Sequence, residues 1–369
     1  MAQSTDVFVI GGGPAGLAAA IAARQRGLGV IVADGNKPPI DKPCGEGLMP
    51  DSIAALRELG VELGPRDGFP FGGINFVDGR TSLAANFPSG PGIGLRRTIL
   101  QRKMLDRAEE LGVRFLWHTP VTGIEEGMVR LAGGEAIASR WIVGADGGQS
   151  RVRRWAGLDS SGRRHARLAC RGHFAVAPWS DYVEIYWGDN AQAYVTPVSA
   201  SEVCIVMVSR KPSRDLPLAL SEFPELARRL KGERPARPER GAFTTTRSLR
   251  KVYRSHVALI GDASGSVDAI TGEGLSLSFH QAQALADAMA ENNLGSYQRV
   301  HRQLARRPTF MARLLLLLDG RPRMRRRTFQ AFANHPELFA RLISIHVGET
   351  SPAHFAATGA MLGWRFLAA

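Results

Sequence analysis

Four apolar residues, Val7-Phe8-Val9-Ile10, pass directly into Gly11-Gly12-Gly13-Pro14-Ala15-Gly16. An Ala-rich segment, Leu17 to Arg26, follows and stops at Gly27. A second apolar run, Gly29-Val30-Ile31-Val32-Ala33, then ends in Asp34. Short unbroken apolar runs read as strands buried on both faces, and a glycine after a helical run reads as its end. Strand, glycine turn, helix and strand within about 30 residues make a βαβ unit. Such a unit commits the chain to a parallel sheet, which needs helices on both faces.

Gly11, Gly13 and Gly16 have the G-x-G-x-x-G spacing. The first allows a tight turn, the second lets a pyrophosphate approach the backbone, and the third lets the helix pack on the strand. The helix start, with Pro14 and Ala15 in its first turn, offers partial positive charge to the phosphates. Asp34, 23 residues after Gly11, suits a ribose diol. Two further apolar strands end in an acid. Ala136–Val143 runs into Gly144-Ala145-Asp146-Gly147-Gly148, and Val257-Ala258-Leu259-Ile260 runs into Gly261-Asp262. Open parallel sheets bind ligands at the carboxyl ends of their strands, where such a carboxylate can accept from a ribose or ribityl hydroxyl. Either Asp alone would also suit a helix cap or a turn. Both together, in this order, point away from a nicotinamide dehydrogenase, where no second pair is expected.

With 369 residues, two packed domains are expected. The pieces read as 1–164 and 257–295 for one nucleotide-binding domain, 165–256 for a β-rich insert, and 296–369 for a basic helical region. In the insert, runs such as Tyr182–Trp187 and Val203–Val208 suggest an antiparallel sheet covered on one face. Helices are expected at 51–59, 98–111 and 274–292. Hydrophobic residues at 44% and charged ones at 22% exclude a disordered or fibrous chain. Three cysteines, Cys44, Cys170 and Cys204, cannot build a disulfide framework or a four-cysteine metal cluster, and a reducing compartment is the simpler reading. The net charge is +13, and residues 296–346 hold eleven Arg against Asp319 and Glu337. That field suits an anionic surface. No DNA-reading pattern is present, so no nucleic-acid partner is expected. The apolar runs Leu17–Ala23 and Leu314–Leu318 are far short of the ~20 residues of a membrane span. The start of the chain reads as structure rather than as a signal peptide, because it lacks a basic first region.

The Gly11–Gly16 loop with Asp34, the segment Gly144 through Arg153, and Ile260-Gly261-Asp262-Ala263 with Gly272-Glu273-Gly274 together resemble the FAD-dependent oxidoreductases of the para-hydroxybenzoate hydroxylase and geranylgeranyl reductase superfamily. The resemblance spans residues 5–295. It implies an α/β fold: a glutathione-reductase-like, Rossmann-type FAD domain, an inserted antiparallel β-sheet substrate domain, and a helical C-terminal region. It also implies that Gly11, Gly13, Pro14, Ala15 and Gly16 hold the FAD pyrophosphate and Asp34 the adenosine ribose. Arg97, with Arg96 as the other register, would contact phosphate, and Val121 would meet the adenine. Asp146 and Gly147 would lie beside the pyrophosphate and Asp262 on the ribityl chain. Gly272 and Gly274 would meet the pyrimidine edge of the flavin.

Lys42-Pro43-Cys44-Gly45-Glu46-Gly47 resembles the reductase branch's loop near the flavin. Ala193-Tyr194-Val195-Thr196-Pro197 resembles its substrate motif, although Trp and Phe are missing from it, so Tyr194 and Pro197 are substrate candidates. Cys44 and Glu46 are the catalytic candidates, with a small filler and a capping Glu as the alternatives. Cys170-x-x-His173 reads as core, and no metal site is expected. The expected activity is first an NAD(P)H-dependent monooxygenase acting on an aromatic or phenolic-lipid substrate, with NAD(P)H as a transient donor. The alternatives are reduction of alkenes of a lipid or polyketide, and a non-catalytic flavin-binding assembly factor. The expected location is cytoplasmic, with the basic region able to bring the protein to the inner face of an anionic membrane.

Overall fold

A computed structural model describes residues 4–159, 165–210, 219–235 and 240–349. The chain has a mixed α/β fold with several sheets. Strand Ser4–Ile10 lies between Val30–Ala33 and Ala136–Gly144, parallel to both. The parallel row continues to Arg114–Leu116 on one side and Val257–Leu259 on the other. Gly11, Asp34, Asp146 and Asp262 therefore follow the carboxyl ends of four neighbouring parallel strands. Helix Pro14–Gln25 covers this sheet with nine of its twelve residues buried. Its alanines let it pack closely on helix Gly274–Ala290, across Ala282, Leu285 and Ala286.

The second sheet has seven strands, in the order Arg240–Thr246, His165–Phe174, Glu202–Ser209, Ala191–Ser199, Tyr182–Trp187, Gly73–Asp78 and Thr81–Asn86. Three features differ from the sequence reading. Two strands come from residues 73–86, so the boundary at 165 does not mark where this sheet begins. The pairing of Tyr182–Trp187 with Gly73–Asp78 is parallel, so the sheet is mixed rather than antiparallel. Both faces are covered, and Ala191–Ser199 is buried at eight of nine positions. Leu220, Phe223, Leu226 and Leu230 cover one face. Met311, Leu315, Leu318, Phe329, Phe339 and Ile343 cover the other. A small third sheet joins Gly47–Leu48, Gly92–Gly94 and Phe69–Phe71.

The basic region forms helices Leu294–Leu304, Arg306–Asp319, Pro322–Asn334 and Pro336–His346. The expected continuation through 369 lies outside the described residues. Within Leu314–Leu318, Leu315 and Leu318 are buried and Leu317 is exposed. Arg325 is a buried member of the basic region. It is 1% exposed, with Nε 2.8 Å from Asp78 and Nη1 on the Gly188 carbonyl. No helix among the described residues is long and apolar enough to cross a membrane.

Candidate functional site

The glycine loop is built as its spacing requires. Gly11 has φ +118°, and Gly16 packs so closely that a Cβ there would collide with the Gly11 carbonyl oxygen. A Cβ on Gly13 would meet nothing within 4 Å, so this stretch of backbone faces open space. Helix Pro14–Gln25 starts there with no side-chain cap, which leaves its first N–H groups for an anion. Asp34 Oδ2 accepts from the Gly12 N–H at 2.8 Å, which fixes the carboxylate at the end of its strand.

Gly11, Asp34, Val121, Asp146, Arg151 and Trp155 line a pocket of about 100 Å³. Asp34 and Val121 thus meet as expected. Arg151 and Trp155 were not singled out from sequence, and the guanidinium lies 5.0 Å from the indole centroid. Asp146 does two things at once. Its Oδ2 caps helix Arg151–Trp155 by accepting from the N–H groups of Arg151 and Val152, and its Oδ1 is buried without a partner. The cap reading was correct for one oxygen only.

Asp262 lies beside Gly148, at the end of the neighbouring strand. It is exposed, yet it sits deep enough that desolvation raises its pKa, opposed by Arg97 and Lys42. Arg96 and Arg97 differ in their partners. Arg96 is committed to Glu202, with Nε 2.7 Å from Oε2, whereas Arg97 faces Asp262 and keeps a buried Nε with no partner. Gly261 touches the glycine loop: a Cβ there would lie 2.8 Å from that of Ala15. Gln281 accepts the Gly261 N–H at 2.9 Å, and Gln101 bonds the Gly12 carbonyl at 3.0 Å. Arg153 ties the Gly148 carbonyl to that of Ala263. These three positioning residues were missed as site residues, because their signal is a contact distant in sequence. Gly272, at φ +68°, and Gly274 each present an open face like that of Gly13.

The Cys44 loop is held from below. Glu46 is 3% exposed and has φ +58°. Its Oε1 accepts from the Arg97 N–H at 3.0 Å and from Arg171 Nη1 at 3.1 Å, and its Oε2 lies 2.6 Å from His173 Nε2. Glu46 is therefore a buried cap and ion-pair partner, not a solvated acid. Glu46, His173 and Cys204 offer ligand atoms within 4.8 Å of one another. Arg171 and His173 pair with the two carboxylate oxygens of Glu46, so the cluster forms a buried ion-pair network, within which burial, then Glu46, push the Cys204 thiol well up. Cys44 is half-buried, while Cys170 and Cys204 are buried. The Tyr194 hydroxyl has one proton between two acceptors, the Ile270 carbonyl at 3.2 Å and Gln192 Oε1 at 3.1 Å, joining the second sheet to the turn before Gly272. Pro197 lies behind it, against Gly94.

An open glycine turn at an uncapped helix, a sugar-sized pocket at Asp34, an orphaned Arg97 donor and a second open glycine pair fit an elongated dinucleotide. The sequence profile described as FAD binding domain matches residues 4–300. The chain is 29% identical over 319 residues to a menaquinone reductase of Mycobacterium tuberculosis, covering 79% of this chain and 78% of that one. It is 30% identical over 336 residues to digeranylgeranylglycerophospholipid reductase 1 of Methanothermobacter thermautotrophicus, covering 82% and 83%. A solved probable FAD-dependent monooxygenase from Pseudomonas aeruginosa shares the fold, with a TM-score of 0.74 at 23% identity over 90% of this chain and 99% of that one.

Proposed function

The chain belongs to the FAD binding domain family and is a flavin-dependent oxidoreductase, and on that footing we propose that it reduces a carbon–carbon double bond of a lipid-like substrate with electrons from NAD(P)H. One observation carries this reading. Two buried candidate bases near the Cys44 loop are already engaged: Glu46 by Arg97, Arg171 and His173, and the Tyr194 hydroxyl by Gln192 and the Ile270 carbonyl. Burial raises the Tyr194 pKa further, so it is no base at neutral pH. Phenol hydroxylation needs a free base to take the phenolic proton. Alkene reduction needs a proton donor, and Cys44 is the thiol among the described cysteines with access to solvent. The names of the two relatives described above, both reductases, support the same choice.

Bound FAD supplies reversible two-electron transfer. In a glutathione-reductase-like placement, Gly11, Gly13 and Gly16 with Pro14 and Ala15 hold its pyrophosphate, flanked by Asp146, Gly147 and Arg97. Asp34 takes the adenosine ribose, Val121 the adenine, and Asp262 the ribityl chain. Gly272 and Gly274 meet the pyrimidine edge. Glu46 keeps the Cys44 loop in register with Arg97. Tyr194, packed under the C-terminal helices, braces the turn before Gly272 from behind rather than touching substrate. The exposed arginines 321, 323, 326 and 327 support peripheral contact with an anionic membrane, the source of such a substrate.

The deciding experiment is anaerobic reduction of the yellow protein with NADPH or NADH in the presence of prenyl-lipid and phenolic-lipid substrates. Product that has lost a double bond under strict anaerobiosis is expected. Product formed only from an aromatic, in step with oxygen uptake, overturns the reductase reading and establishes hydroxylation.

A further inference from the structure

Glu273 stands between the open glycines 272 and 274, at the N-cap of helix Gly274–Ala290, with its side chain 2% exposed. Arg307, from helix Arg306–Asp319, reaches Glu273 Oε1 at 3.2 Å and Asp51 Oδ2 at 3.3 Å. Asp51, from helix Pro50–Glu58, also accepts the Ser276 hydroxyl at 2.7 Å. The second Glu273 oxygen, Oε2, is buried without a hydrogen-bond partner, and so is His346 Nδ1 from the last described helix. These two atoms face each other at 3.6 Å. His346 also bonds the Thr271 backbone, on the same turn. Buried polar atoms are rarely left unpartnered, and two acceptors facing one another leave a place for one proton.

We infer that Glu273 and His346 form a proton-holding pair that positions and tunes the flavin edge at Gly272 and Gly274, which makes the C-terminal helices part of the cofactor site. The inference rests on the FAD placement proposed above. The charged and titratable groups facing the pair are Arg307 and Asp51. Burial raises Glu273 to about 8, with Arg307 opposing and Asp51 reinforcing. Burial and then Arg307 lower His346 to about 4, with Asp51 opposing. Near neutrality the pair therefore holds one proton, on Glu273. Negative charge arriving at the pyrimidine edge holds that proton more tightly. Above about pH 8, reduction then draws one proton to the pair.

The test is the flavin midpoint potential of the holoprotein against pH, with infrared redox-difference spectra at pH 7. Wild type should steepen above about pH 8 by a tenfold change in equilibrium per pH unit, about 30 mV for a two-electron couple. Its spectra should show a perturbed protonated-carboxyl band. In Glu273→Gln both the steepening and the band should vanish while FAD stays bound, and in His346→Gln the break should move. Superimposable pH profiles of wild type and Glu273→Gln overturn the pair. If that variant does not fold, a wild type lacking the carboxyl band overturns it. Wild-type protein that binds no FAD overturns the underlying placement instead.

Discussion

The Glu46 carboxylate accepts the backbone N–H of Arg97, a residue 51 positions later, at 3.0 Å. A helix start is usually capped from its own preceding turn. Here the cap comes from the Cys44 loop, which ties that loop to the start of the helix bearing Arg97.

Glu46→Ala should be among the most damaging substitutions. It leaves buried Arg171 with Asp41 as its remaining carboxylate partner and buried His173 without Glu46, and breaking a buried pair costs about 3–5 kcal/mol. A urea midpoint close to wild type would contradict this. Cys44→Ser should leave the midpoint unchanged and slow double-bond reduction.

Arg97 and Arg96 should separate cleanly. Arg97→Met removes a charged donor to phosphate, about 1.5–3 kcal/mol, or roughly a tenfold to hundredfold loss of FAD affinity. Arg96→Met breaks only the Glu202 pair and should bind FAD as wild type does. Flavin fluorescence titration of the apoprotein decides; equal affinities would remove Arg97 from the phosphate site.

Asp262→Ala should weaken FAD by a similar tenfold to hundredfold, since a buried ribityl hydroxyl loses its acceptor. Unchanged flavin occupancy would exclude Asp262 from the site.

Stability should depend on pH through Glu273 and His346 with opposite signs. Glu273 is raised from 4.5 to about 8, so its contribution is fully present below about pH 4.5 and is lost as pH rises through 8. His346 is lowered from 6.5 to about 4, so stability rises with pH between about 4 and 6.5. The slopes oppose each other up to about pH 6.5, and the decline from there to about 8 belongs to Glu273. Urea midpoints at pH 6.5 and 8.5 should draw together in Glu273→Gln; an undiminished gap would refute the assignment.

For the basic region, reversing Arg321, Arg323 and Arg326 to Glu should abolish flotation with anionic vesicles and leave folding intact. Arg325→Glu should instead unfold the protein, because it buries a new carboxylate against that of half-buried Asp78. A wild type that never floats removes the membrane role.

The glycine loop, Asp34 and the order of the three motifs were readable in sequence because each lies within one strand–turn–helix passage. The Glu46 network was not. Asp41, Glu46, Arg171 and His173 lie some 125–130 residues apart across its contacts, and nothing local marks them as partners. The placement of the hairpin 73–86 in this sheet was lost for the same reason: Gly73–Asp78 joins it through Tyr182–Trp187, a hundred residues on, while Thr81–Asn86 pairs only locally with Gly73–Asp78. Alternation suggested one covered face, yet the second cover comes from helices beyond residue 306.

The contact between Asp78 and Arg325 bears on how the protein is made. A nascent chain lays down the first strands of the second sheet early and waits for about two hundred and fifty further residues before the helix that neutralises Asp78 leaves the ribosome. Until then the aromatic face around Phe76 and Trp187 has nothing over it. A gene shortened at its 3′ end before codon 325 should therefore yield inclusion bodies rather than a smaller flavoprotein, and the unfinished chain is a natural client for a chaperone that shields apolar surface.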